Sequence, residues 1–335
     1  MTQKIDISTS TLFRFILIIL GLVFLYLVRD ILLMIFIALI IAAAIDAPVD
    51  WMAQRKIRRV FWTMIVYILI FLALILFIYL VFPPLASQIK ILASNLPEYL
   101  EKLGTNFAII KQKIGPDTLR QILDRTSSQL SWAGSNILGA AVNIFGGIFS
   151  AAVILVISMY LVIQDKGIKD FLASITPSEH RLYVLSLTER IQVKLGAWLR
   201  GQLLLILIVG ALVFIGLTLL KVNFALTLAI LAGVLEIIPY IGPILAGLTA
   251  VLLAFLQSPL LSLLVLILFI VIHQLEGYVI VPQVMKRVVG LNPLVVMIAI
   301  IVGGKLGGVL GVVVAVPLVA AASVFFSDMF MKEEK

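Results

Sequence analysis

Eight apolar stretches, each as long as a membrane span or longer, leave this chain very few ways to fold. Six are uninterrupted, at about 11–28, 31–47, 60–82, 143–163, 202–220 and 259–281; two longer ones, at about 224–256 and 293–326, contain helix breakers. Inside hydrocarbon every backbone N–H and C=O needs an internal partner, so runs of this length become α-helices. The predicted fold class is all-α: a polytopic membrane protein with about eight membrane segments, two of them broken or re-entrant, plus a small external helical region. Composition agrees, with 63% hydrophobic and 13% charged residues and a mean hydropathy of +1.22. The net charge of +8 does not indicate nucleic-acid binding, because Lys and Arg fall in the connections between apolar runs, where membrane topology already places them.

The short connections set the expected orientation. "WMAQRKIRR" (51–59) packs Arg55, Lys56, Arg58 and Arg59 between the second and third spans, which makes this loop and the N-terminus cytoplasmic by the positive-inside rule. Three parts follow: 1–82 with three spans, 83–142 as the external segment, and 143–335 as a core of one span, a cytoplasmic amphipathic stretch and two span-plus-broken-segment units. In the external part Leu85, Ile89, Leu92, Leu96, Tyr99 and Leu103 form a helical stripe that must be buried, by a cap folding on itself or by a subunit contact. Pro97 is expected to start a fresh helix there, and "GPD" (115–117) to separate two more. The stretch 164–200 reads as an amphipathic helix lying along the membrane with a turn at Pro177, and the C-terminal "KEEK" is expected in the cytoplasm.

The broken segments resemble each other. One begins at Asn223, the other at Asn292; Glu236 and Lys305 stand at the same offset, each just before or within a cluster of breakers. The ten to thirteen residues before each break rise only about 15 to 20 Å against about 30 Å of hydrocarbon. A hairpin that dips in and returns satisfies both lengths, and a tilted, kinked span is the alternative. In "EIIPYIGP" (236–243) Pro239 and Pro243 remove backbone donors and Gly242 permits the turn, so freed carbonyls form a polar site for an ion or small molecule. A carboxylate such as Glu236 at that depth costs about 2.5 to 3.5 kcal/mol, so it must be paired, protonated or hydrated, with Lys305 the first partner to consider.

His273 and Glu276, three apart near the cytoplasmic end of their span, form a polar lining or proton relay; two ligands are too few for a metal site, and Pro282 is expected to end the helix. "GGKLGGVLG" (303–311) lacks the order of a phosphate loop. Without cysteines, an HExxH or a GxSxG, the chain offers no usual catalytic arrangement, metal site or cofactor site.

Three stretches, "EIIPYIGP" (236–243), "HQLEGYVIVPQVMKRVVGLNPLVV" (273–296) and "GGKLGGVLGVVVAVPL" (303–318), together resemble the autoinducer-2 exporter family of bacterial permeases. Pro48, "LPEYLEKL" (96–103) and "LGAWLRGQLLL" (195–205) extend the resemblance over nearly the full length. The resemblance implies an inner-membrane secondary transporter, a homo-oligomer of pentameric form, and motif positions at Glu236, Pro239, Tyr240, Gly242, Pro243, Glu276, Pro282, Asn292, Pro293, Gly304, Gly308 and Pro317. It implies a small polar cargo such as autoinducer-2, with sodium/proton antiport as the alternative cargo class. A non-transporting scaffold is a third reading.

Overall fold

The computed structural model describes residues 9–54, 58–102, 147–164, 167–285 and 293–331, with isolated positions between 125 and 139. Its elements are α1 (Thr9–Leu27), α2 (Arg29–Ala53), α3 (Arg59–Lys102), α4 (Gly147–Ile163), α5 (Gly167–Ile175), α6 (Ser178–Leu219), α7 (Ala225–Leu235), α8 (Ile241–Phe255), α9 (Pro259–Leu275), a π turn (Glu276–Ile280), α10 (Val281–Met285) and α11 (Pro293–Met331). No strand occurs among the described residues. Among the described residues five helices are long and apolar enough to cross a membrane, or six if α4 and α5 form one bent span, and large side chains such as Phe13, Phe24, Leu72 and Tyr79 face outward, as lipid permits without cost.

Two helices run further than their apolar cores. α3 has 44 residues, about 66 Å, and continues through Pro83, Pro84 and Pro97, so the fresh helix expected at Pro97 does not form. The carbonyl that Pro84 leaves without its donor is that of Leu80, and it accepts from the Thr227 hydroxyl of α7 at 3.4 Å. Pro48 inside α2 is handled alike: the freed Ala44 carbonyl accepts from Arg200 of α6 at 3.1 Å. At Pro48 and Pro84 the freed carbonyls are thus answered by donors from neighbouring helices. α6, 42 residues long, also has no break at 200, so its amphipathic half prolongs the span; only α5, bent by 83° from α4, turns sharply aside. At the start of the predicted external stripe Leu85 is buried and Ile89 partly so, in one apolar cluster with residues of α6, α7 and α8; the backbone of 90–102 continues α3, and 115–117 lies outside the described residues.

At the end of the molecule that carries the basic loop, Arg59 joins three helices. It pairs with Asp46 at 2.9 Å and Asp50 at 2.7 Å on α2 and donates to the Val162 carbonyl at the end of α4 at 3.0 Å. Tyr67 and Ser158 add a buried hydroxyl pair between α3 and α4.

Both broken segments are hairpins. Asn223 N–H donates to the Gln257 side-chain carbonyl at 3.3 Å, so the two ends of the first segment meet and α7 and α8 return to one face. Their base packs with Leu85 of α3, about 39 Å along that helix from Arg59, hence at the face remote from the basic loop. In α11 the chain reverses at Gly308, whose φ of 59° and ψ of −141° suit only glycine. A Cβ on Gly303 would lie 2.4 Å from the Gly311 carbonyl oxygen, although residues eight apart in a straight helix are about 12 Å apart. The tip packs on Leu33, near the start of α2, again at the remote face. The first hairpin therefore opens at that face and the second reaches it from the other side, with the 27-residue α9 to α10 stretch carrying the chain between their bases.

Candidate functional site

The first hairpin's tip is built from backbone that cannot continue a helix. After Leu235, Pro239 offers no N–H, and Tyr240 adopts φ 65° and ψ −49° while Ile241 N–H donates to the Pro239 carbonyl at 2.8 Å. This is a γ-turn of the strained hand. Gly242 is obligatory beneath it: a Cβ there would stand 1.9 Å from the Leu235 carbonyl oxygen. The turn removes the donor that the Glu236 carbonyl would have found one helical turn on, and the buried Gln202 amide of α6 supplies it at 2.8 Å.

Opposite the tip, α9 passes into the π turn. Val281 N–H reaches back to the Glu276 carbonyl, one residue further than in an α-helix. Pro282 follows within α10 and does not end the helix as expected; it comes directly after the widened turn, and the helix runs on to Met285. Glu276 is buried within this turn, and its carboxylate lies 3.5 Å from His273 Nδ1.

Between tip and π turn lies a cavity of about 420 Å³. Glu236, Pro239, Tyr240, His273, Glu276 and Pro282 from the predicted set line it, joined by Trp198 and Gln202 of α6 and by Val296 and Val316 from the arms of the second hairpin. Glu236 is 3% exposed and its Oε2 makes no hydrogen bond; its carboxyl interacts with that of Glu276. The predicted residues of the second hairpin stand elsewhere. Lys305 is exposed, near the tip that packs on Leu33, and forms no ion pair with Glu236. Gly304 packs on Val312, Gly308 makes the reversal, and Pro317 is fully buried. Pro243 is half-buried in the first turn of α8, Pro293 opens α11, and Asn292 lies outside the described residues. No cluster of three metal-ligating side chains occurs among the described residues.

Trp198 and Gln202 were readable in principle, since they stand one helical turn apart on one face and Gln202 is a lone amide at the head of an apolar run.

The profile described as "AI-2E family transporter" matches residues 15–331. Relatives include "Putative transport protein YueF" of Bacillus subtilis strain 168, 28% identical over 295 residues, covering 84% of this chain and 80% of its own length. YrrI of the same organism, named in the same words, is 27% identical over 300 residues, 87% and 85% of the two chains. YhhT of Escherichia coli K12, likewise so named, is 23% identical over 304 residues, 88% and 84%. With a match over nearly the whole chain, a polytopic helical fold and a polar cavity between a re-entrant tip and an interrupted helix, this protein belongs to the AI-2E family of membrane transporters.

Proposed function

We propose that this protein is a secondary transporter of the bacterial inner membrane that exports a small polar molecule through the cavity beside Glu236. The observation that carries the reading is the cavity's position: broken backbone at membrane depth survives only where protein or a water-filled path satisfies it, and such places are where transporters hold their cargo. A volume of about 420 Å³ lies within the range of small-molecule sites. Autoinducer-2, the cargo in the family's name, is the first solute to assay. Both termini are cytoplasmic in this reading, the assembly is a homo-oligomer of pentameric form, and no chemistry is performed on the cargo.

Sodium/proton antiport is the second reading, favoured by the row of Glu236, Glu276 and His273 along the cavity wall; there a carboxyl would exchange a proton for the cation.

Flux in liposomes separates them. Purified wild type and Glu236→Gln are reconstituted with autoinducer-2 and a pH-reporting dye inside, with and without imposed sodium and proton gradients. Release of autoinducer-2 above empty liposomes, slowed in the variant, supports metabolite export. A sodium-dependent dye response lost in the variant supports antiport, and silence in both channels contradicts both.

A further inference from the structure

The cavity's lining has a chemical bias beyond "small and polar". Two carboxyl groups, Glu236 and Glu276, and two aromatic side chains, Trp198 and Tyr240, face it, and among the described residues no Lys or Arg lines it. The His273 imidazole is engaged with Glu276 at 3.5 Å, and the Glu236 carboxyl, which interacts with that of Glu276, has no cationic partner among the described residues. Its Oε2 is buried and accepts from nothing. A buried acceptor without a donor is costly, and it identifies what the occupant must bring: a donor, together with positive charge to suit a pair of acidic groups. The aromatic faces add a second selection, because indole and phenol rings attract cations through their quadrupoles and best so when water is excluded.

The cavity is far larger than a bare metal cation needs. One water occupies about 30 Å³ of liquid, so a cavity of about 420 Å³ has room for a solute of several heavy atoms, and the described residues assemble no multidentate metal cluster. An anion would meet the Glu236 and Glu276 carboxyl groups without a Lys or Arg among the described lining residues to answer it.

We propose that this cavity binds a small organic cation, an ammonium-headed solute whose charge rests beside the Glu236 and Glu276 pair and against Trp198 and Tyr240. The route the cation takes rests on the transport reading above; its binding does not.

Choline is the probe, because its neutral carbon isostere, 3,3-dimethylbutan-1-ol, has the same shape and hydroxyl without the charge. Tritiated choline is titrated onto the protein in lipid nanodiscs. The expected result is saturable binding that tetramethylammonium displaces and the alcohol does not. Glu236→Gln is expected to weaken it by about tenfold or more, as is Trp198→Leu, while Trp198→Phe, which keeps an aromatic face, retains most of it. The two Trp198 variants carry the test should Glu236→Gln fail to fold, as judged by thermal unfolding in the same nanodiscs. Absence of saturable binding, equal displacement by the alcohol, or equal affinity in Trp198→Leu and Trp198→Phe overturns the proposal. Solute flux in liposomes without choline binding sinks this inference and leaves the transport reading standing; choline binding without flux of any solute does the reverse.

Discussion

Gln202 and Gly242 hold the cavity's geometry without being its most obvious residues. The Gln202 amide is the donor for the Glu236 carbonyl at the point where the helix stops, and replacing it with Leu leaves that carbonyl buried and unpaired. Gln202→Leu is expected to cost about 1 to 3 kcal/mol, read as a lowered melting temperature in detergent, whereas Gln202→Glu, which keeps the size but repels the carbonyl, is expected to be at least as damaging. Gly242→Ala forces a methyl to within 1.9 Å of the Leu235 oxygen; a backbone shift of the tip follows, with a loss of about 3 kcal/mol and a parallel loss of flux in the liposome assay. The sequence made Glu236, Pro239 and Tyr240 legible because a charge and breakers stand out in an apolar run. It misassigned the partner of Glu236 because equal offset in two similar segments says nothing about depth: Lys305 lies near the far end of its hairpin, exposed where its long stem can carry the ammonium toward water.

At the scale of elements, proline was the misleading signal. In water an interior proline costs a helix about 3 kcal/mol, which is why Pro97 and Pro282 read as boundaries. Here the freed carbonyls of Ala44 and Leu80 are answered by Arg200 and Thr227, donors that come from other helices and are invisible to a local reading, and Pro282 stands directly after a π turn that widens the ladder by one residue. Glycine clusters read truly, because reversal and close approach leave no alternative residue. The two functions of glycine in α11 are separable. Gly303→Ala puts a Cβ 2.4 Å from the Gly311 oxygen and pries the arms apart, while Gly308→Ala meets open space and suffers only from its φ of 59°, a strain of about 1 to 3 kcal/mol. Thermal unfolding is expected to show a larger loss for Gly303→Ala than for Gly308→Ala; the opposite order would mean that strain at the reversal, and not contact between the arms, limits the hairpin.

For the whole molecule, the decisive property is that the two hairpins approach from opposite faces, and its surface consequences can be read because the chain has no cysteine. Gln54 ends the helix before the basic loop, Gln257 closes the base of the first hairpin, and Lys305 lies near the tip of the second; all three are exposed. Single cysteines at these positions, tested with a membrane-impermeant maleimide on sealed vesicles of both orientations, are expected to fall into two groups. Gln54→Cys reacts from one face, the cytoplasmic one if the four basic residues at 55–59 obey the positive-inside rule. Gln257→Cys and Lys305→Cys react together from the other. A kinked single span in place of the second hairpin would bury position 305 near mid-bilayer and leave its cysteine unreactive from either side, and a kinked span in place of the first would put positions 223 and 257 on opposite faces. Joint labelling of 257 and 305, opposite to 54, is therefore the pattern that only two opposed hairpins produce.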